Sequence, residues 1–249
     1  GIFGSTAILN DMTLLGVGGG AGGGGGNTTL GGIGTGYLYA DWIGQIAYTT
    51  PNMNGFQATL GLMQPWTANT TLSSVTGDTA LSSASVGTSD EFGYQGQASF
   101  SWTGDFAGKV WGGFFLQQVS NIENGGGTED AEAFEAGVST SIYNIGLVGY
   151  AYTGEGVGTT ILLGEGFDST GSKRDSDGGY VQATYVIPTG TKLGVSYGIS
   201  NLDGNAVDDN TAIVEENERY TIGAYHPLTK HLNLVAEYNN MESKAQNGN

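Results

Sequence analysis

The stretch Thr191-Lys192-Leu193-Gly194-Val195-Ser196-Tyr197-Gly198-Ile199-Ser200 alternates without a break. Side chains point to opposite sides at each step of a strand. Leu193, Val195, Tyr197 and Ile199 therefore share one face, and Lys192, Gly194, Ser196, Gly198 and Ser200 the other. The pattern recurs on either side. Across 217–225, Tyr220, Ile222 and Ala224 oppose Arg219, Thr221, Gly223 and Tyr225. Across 231–240, Leu232, Leu234, Ala236 and Tyr238 oppose His231, Asn233, Glu237 and Asn239. Upstream, 93–103 sets Tyr94, Ala98, Phe100 and Trp102 against Gln95, Gln97, Ser99 and Ser101. The second face of each set is too polar for the core of a sandwich. Two architectures survive: a single-core sheet with a wet outside, or a barrel with lipid outside and water within. Strand 145–153 leaves its facing open, since either Ile145 and Leu147 or Val148, Tyr150 and Tyr152 could meet lipid.

The connectors favour the barrel. Candidate strands run over 42–50, 56–64, 93–103, 107–119, 131–143, 145–153, 179–187, 191–200, 217–225 and 231–240. Short connectors at 51–55, 104–106, Asn144, 188–190 and 226–230 take turns with long ones at 65–92, 120–130, 154–178 and 201–216. A soluble sandwich has no reason to gather its long loops at one end. A membrane β-barrel does, because tight turns face the periplasm and long loops face outside. The expected class is an all-β, antiparallel transmembrane barrel of about ten strands. Tyr48, Phe56, Trp102, Tyr143, Tyr185, Tyr220 and Tyr238 lie towards strand ends, as an interfacial aromatic girdle requires.

Composition narrows the class further. Charged residues make up 12% of the 249, about half the share of a typical soluble domain. Cysteine is absent, which excludes a disulfide framework and thiolate metal sites. The net charge of −17 argues against nucleic acid. Eighteen of the 24 acids lie in or beside the four long loops, where Lys173 and Arg174 are the only bases. Such loops are kept soluble by charge, or they form a negative vestibule that concentrates cations. Asp203, Asp208, Asp209, Glu215 and Glu216 could hold a loosely bound divalent cation or bridge to lipopolysaccharide, although their spacing is not that of an EF-hand. No other cofactor is expected.

Residues 1–40 break the strand pattern and form a separate segment from the strands of 41–249. Ile8-Leu9-Asn10-Asp11-Met12-Thr13-Leu14-Leu15 is a compact apolar stretch with an Asn/Asp turn signal, and Gly16 opens a glycine tract that reads as a linker. The tract is no phosphate cradle, since no Gly-Lys-Ser/Thr follows. With neither a leader segment nor a closing strand, the chain reads as a fragment.

Here the sequence resembles a known family. The carrying residues are Phe3-Gly4-Ser5-Thr6-Ala7-Ile8-Leu9-Asn10-Asp11-Met12-Thr13-Leu14-Leu15-Gly16-Val17-Gly18 and Trp42-Ile43-Gly44-Gln45-Ile46-Ala47-Tyr48-Thr49-Thr50-Pro51. With them go Phe56-Gln57-Ala58-Thr59-Leu60, Arg219-Tyr220-Thr221-Ile222-Gly223-Ala224-Tyr225 and Leu232-Asn233-Leu234-Val235-Ala236-Glu237-Tyr238. The chain is similar to the trimeric general-diffusion porins of Gram-negative bacteria. The resemblance implies an outer-membrane homotrimer passing small hydrophilic solutes and ions, in contact with membrane lipid and lipopolysaccharide. In such porins an extracellular loop folds into the barrel and narrows the pore; residues 1–30 look like that loop. Set against a barrel of about sixteen strands, this chain would lack the first strands and the last one. The glycine tract is longer than such a loop implies.

In a diffusion pore the working parts are a constriction and the field across it. Lys109, Lys192 and Arg219 stand on polar strand faces, as do Glu135 and Glu237, while Asp11 lies on the infolded segment. Acid on the loop opposite base on the wall would orient solutes in a transverse field, and the acidic loops predict a cation preference. The bland alternative is that these groups sit solvated at a rim.

An enzyme-like pattern also occurs. Gly194-Val195-Ser196-Tyr197-Gly198 matches GxSxG, with Asp203, Asp208, His226 and His231 following in hydrolase order. The motif needs a strand–turn–helix elbow, whereas alternation here continues through Ile199. His226 and His231 have no carboxylate between them and read as part of a turn rather than a metal site. Asn27-Thr28-Thr29 and Asn69-Thr70-Thr71 match glycosylation sequons, which arise often by chance. The rival to the channel is a secreted or surface β-sandwich adhesin with acidic loops, which leaves the alternating loop lengths unexplained.

Overall fold

The computed structural model describes residues 1–14, 31–39, 43–66, 68–69, 86–87, 89, 91–120, 127–168, 170–205 and 213–246. A short helix α1 (Ser5–Asn10) precedes twelve strands: β1 (Gln45–Thr49), β2 (Phe56–Met63), β3 (Ala68–Asn69), β4 (Val86–Gly87), β5 (Gly93–Trp102) and β6 (Phe106–Ser120). After these come β7 (Thr128–Ile142), β8 (Ile145–Glu155), β9 (Asp175–Val186), β10 (Lys192–Asp203), β11 (Val214–Thr229) and β12 (Leu232–Ala245). Ten of them form one antiparallel meander in the order β1-β2-β5-β6-β7-β8-β9-β10-β11-β12, open between β1 and β12; β3 and β4 pair separately. The expected 42–50 strand begins at Gln45, and residue 42 lies outside the described residues, as does the glycine tract.

The strand ends joined by short connectors lie at one end of the sheet, and those from which the long connectors leave lie at the other. At the 50–55 turn, Asn54 and Gly55 take φ values of 54° and 99°, the paired left-handed conformations that match strand twist in a tight hairpin. The last turn is shorter than its sequence suggests. β11 continues through Pro227 to Thr229 with a register shift between those two residues, leaving 230–231 as the turn. Pro227 fits there because β10 pairing ends at Tyr225, so the missing N–H breaks no ladder on that side.

The facing of the strands is that of a membrane barrel. Val195, Ile222, Leu234 and Leu60 are more than half exposed on the outer face, while Ser196, Ser200, Thr221 and Gln95 are buried on the inner one. On β8, Ile145 and Leu147 point out, and Tyr150 and Tyr152 point in, which settles the strand whose alternation was ambiguous. Tyr48, Phe56, Tyr143, Tyr185, Tyr220 and Tyr238 are exposed, and Trp102 is half-buried. A sandwich would bury the apolar face against a second sheet. Here the buried cluster lies inside, where Phe115, Val119, Ala133 and Tyr150 of the wall meet Phe3, Ala7, Tyr37 and Leu38 and the loop residues Val157, Leu162 and Phe167.

Candidate functional site: an inner wall lined by the N-terminal segment

Residues 1–14 cross the inner face and are tied to strand after strand. Ile2 N and Phe3 N both donate to Gln95 Oε1 on β5, at 2.7 and 3.0 Å. Gly4 N donates to Glu135 Oε2 on β7 at 2.9 Å. The same carboxylate accepts Tyr150 OH from β8 at 2.8 Å and Gln97 Nε2 at 3.0 Å. A buried carboxylate is tolerated because its lone pairs are occupied. The Ser5–Asn10 stretch forms one and a half turns of helix where its sequence suggests an apolar run with a turn. Its Ala7 carbonyl accepts Tyr180 OH of β9 at 2.7 Å. Gln182, two residues along, donates to Asn10 O at 3.0 Å and accepts Met12 N at 2.7 Å.

Asp11 follows at the helix end. It accepts Thr13 N, Thr13 Oγ1 and Tyr37 OH at 3.0, 2.7 and 2.7 Å, and lies 3.9 Å from Arg219 Nη2 on β11. Burial, reinforced by the Asp11 carboxylate, pushes the Tyr37 phenol well above its ordinary range, so it remains a donor. Leu14 N reaches Glu237 Oε1 on β12 at 2.7 Å, where Tyr225 OH also donates at 2.6 Å. Fourteen residues are thus anchored from β5 to β12.

Residues 31–39 lie over the next part of the wall. Gly36 N donates to Ser200 Oγ at 2.9 Å, the Thr35 carbonyl rests on Gly198, and the Tyr37 and Tyr180 rings meet edge to face at 5.8 Å. Tyr39 N then donates to Thr160 O at 2.8 Å, which joins this segment to the β8–β9 loop.

That loop departs from the expected solvated, acidic coil. Val157, Leu162, Leu163 and Phe167 are buried, and so are Glu165, Asp168 and Arg174. Arg174 Nη1 donates to the carbonyls of Glu165 and Phe167. Asp168 Oδ1 accepts Thr170 N and Ser172 N at 2.7 and 2.9 Å, and its Oδ2 accepts Asn205 Nδ2 at 3.0 Å. These acids serve the packing of the loop and add little to a free negative vestibule. Burial alone would raise the Asp168 carboxyl, but the bonds from Thr170, Ser172 and Asn205 outweigh it and hold it below the ordinary aspartate range. A lowered folded pKa stabilises the loop above the unfolded value and loses that support as pH falls through the folded one. We expect the 156–174 loop to resist limited proteolysis at pH 7 and to become cleavable only as the pH falls below the ordinary aspartate value of about 3.9. Asp168→Ala should make it cleavable at pH 7, at a cost of about 2–3 kcal/mol. Identical protection in wild type and variant would count against the staple.

The six charged residues picked from sequence fall into three pairs. Asp11 and Arg219 form the close pair, and Glu135 and Glu237 anchor the lining segment from the wall. Lys109 and Lys192 are half-exposed on the inner face, and Lys192 sits 4.7 Å from the Tyr225 ring centre. Lys192 and Asp11 line a polar cleft of about 450 Å³ together with Gln182, Ser139 and Thr140. The glutamines that do most of the anchoring, Gln95, Gln97 and Gln182, read in sequence only as a polar face.

The other candidates are dispersed. Ser196 is mid-strand in β10, between Gln182 and Thr221, with no elbow to present it. Asp208 and Asp209 lie outside the described residues, as do the Asn27 sequon and the threonines of the Asn69 sequon. Glu216 pairs with Lys244. Among the described residues, no three His, Cys, Asp or Glu side chains are grouped to hold a metal.

A family model described as Gram-negative porin matches residues 2–246. Among solved structures, the outer membrane channel DcaP of Acinetobacter baumannii is similar with a TM-score of 0.70 and 13% identity, over 87% of this chain and 60% of that one. At that identity the likeness concerns the fold, and this chain spans less than two thirds of that channel. No curated protein matches it.

Proposed function

The chain belongs to the Gram-negative porin family of the outer membrane, and on that premise we propose that it forms a water-filled channel for small hydrophilic solutes and ions. One observation carries the proposal. Apolar side chains cover the outside of the sheet, polar ones share the inside with the packed cluster, and residues 1–14 line the inner face without filling the cleft beside Asp11 and Lys192. A barrel that served only as an anchor would have no need of a polar, partly open interior. Passage is passive, by diffusion, and its working parts are Asp11, Lys109, Glu135, Lys192, Arg219 and Glu237. Homotrimeric assembly belongs to the same proposal, as does contact with lipopolysaccharide through divalent cations at the acidic loops.

A preference for cations follows from charge placement. Eighteen acids lie in or beside the long loops of a chain of net charge −17. Even with Glu165 and Asp168 committed to packing, Glu129, Asp130, Asp175 and Asp203 remain exposed there. A mouth of one sign concentrates ions of the other. In a planar bilayer under a salt gradient, the reversal potential should have the sign of cation selectivity. The selectivity should shrink as salt rises from 0.1 to 1 M, because the Debye length falls from about 10 to about 3 Å. An anion-selective sign would overturn the preference, and absence of conductance the channel itself.

A further inference from the structure

The outer face of β8–β12 carries a feature that diffusion through the interior does not use. Ala183, Ala224 and Ala236 are small outward-facing residues flanked by Leu193, Ile222 and Tyr238, and between them runs an apolar groove of about 740 Å³. Its level in the membrane is set by the sheet. Leu193 follows directly on the first residue of β10, at the short-connector end. Ala224 pairs with Leu193 and with Ala236, and the 230–231 turn closes the β11–β12 hairpin below. Short connectors mark the periplasmic side of such a barrel, so the groove opens to the periplasmic leaflet.

The charge beneath it is unlike that of the rest of the chain. The five short connectors contain one acid, Asp105, of the 24 in the sequence. Below the groove, His226 stands on the outward side of β11 with Nδ1 2.9 Å from the Thr191 hydroxyl. Lys230 and His231 are exposed in the turn. Both histidines of the protein and one of its seven Lys and Arg residues therefore gather at this rim.

We infer that this face binds an anionic phospholipid of the periplasmic leaflet, with one acyl chain in the groove over Ala183, Ala224 and Ala236 and the phosphate at Lys230 and His231. The groove offers an acyl chain a seat that rows of large side chains would fill. The rim offers the phosphate N–H donors and positive charge at the depth where the headgroup lies. A second copy of the chain is the poorer occupant. Copies inserted in one membrane share an orientation, so a neighbour's short connectors bring a single acid, Asp105, to the level of this rim.

Native mass spectrometry of the detergent-purified protein, with phosphatidylglycerol or phosphatidylethanolamine added, tests the inference. Wild type should retain phosphatidylglycerol in preference to phosphatidylethanolamine. Filling the groove with Ala224→Phe, or independently with Ala236→Phe, should lower retention of both lipids by more than about tenfold, since several methylenes lose their seat. Lys230→Ala should weaken phosphatidylglycerol alone, by about fivefold. Conductance equal to wild type in either filled variant shows that the barrel is intact. Retention unchanged in the filled variants overturns the site. So does loss of self-association in those variants with lipid retention unaffected, which would assign the groove to a second copy.

Discussion

Replacing Glu135 with alanine is expected to release the start of the lining segment and to raise single-channel conductance in the proposed pore. Glu135 projects inward from β7 and is about 5% exposed. Its two oxygens accept Gly4 N, Tyr150 OH and Gln97 Nε2. Gln97 in turn accepts Thr6 Oγ1 at 2.7 Å, so the carboxylate organises both the entry to α1 and its first turn. Truncation leaves those donors without an acceptor in a site that water enters poorly. Hydrogen bonds to a charged group contribute about 1.5–3 kcal/mol each, and an unmet buried donor costs a comparable amount. The local loss is therefore at least about 3 kcal/mol, whereas the β6–β7–β8 ladder on either side keeps all its backbone pairs. The segment should detach and the barrel should hold. Glu135→Gln retains one carbonyl and the volume, and should fall between wild type and alanine. Bilayer recordings of the three proteins decide the matter; equal conductance in all of them, with normal barrel assembly, would show that Glu135 does not hold the constriction.

How far this arrangement can be read in the sequence depends on which force places each part. The strands are legible because a membrane barrel imposes opposite solvents on alternate residues, and 191–200 records that pressure at every position. Where inward residues stop facing water, the record blurs. Tyr150 and Tyr152 are apolar and inward because they pack beneath the lining segments, and that is why β8 reads both ways. The β8–β9 loop hides itself for a related reason. Val157, Leu162, Leu163 and Phe167 have no strand or helix period, since the loop is held by local turns and by Arg174 rather than by a regular element. Acidic residues among glycines then look like solvated coil. Asp11 and Arg219 could be paired from sequence as acid on a loop and base on a wall. Their 3.9 Å approach adds that the pair is closed, with Tyr37 and Thr13 taking the remaining acceptor capacity of the acid. The glutamine contacts were out of reach, because they depend on how a segment from one end of the chain lies across strands some 90 to 170 residues away.

Gly198→Val should push Thr35 off the wall and loosen the 31–39 segment while leaving the sheet intact. Gly198 faces inward on β10, between Tyr180 and Arg219 of the neighbouring strands. A Cβ at that position would meet the Thr35 carbonyl oxygen and, at 3.2 Å, the Tyr180 Cβ. Neither obstacle is the free end of a flexible side chain, so the conflict cannot be resolved by a rotamer change. One of two bodies must move: the strand, held by backbone ladders on both sides, or the segment, held here by Gly36 N to Ser200 Oγ and the Tyr37–Tyr180 contact. The segment is the weaker. Valine, moreover, is a better strand residue than glycine, so the sheet has no reason of its own to object. Overpacking of this kind costs about 1–3 kcal/mol, enough to exceed the hydrogen bond and ring contact beside Gly198, each about 1 kcal/mol. Tyr37 OH on Asp11 and Tyr39 N on Thr160 O still tether the segment. The chain has no cysteine, so Leu38→Cys supplies a unique thiol at a fully buried point of the segment. That thiol should be protected in the otherwise native protein, and its alkylation should be at least about tenfold faster when Gly198→Val is added, corresponding to about 1.4 kcal/mol. Equal protection in both backgrounds would mean that the wall yields instead of the segment.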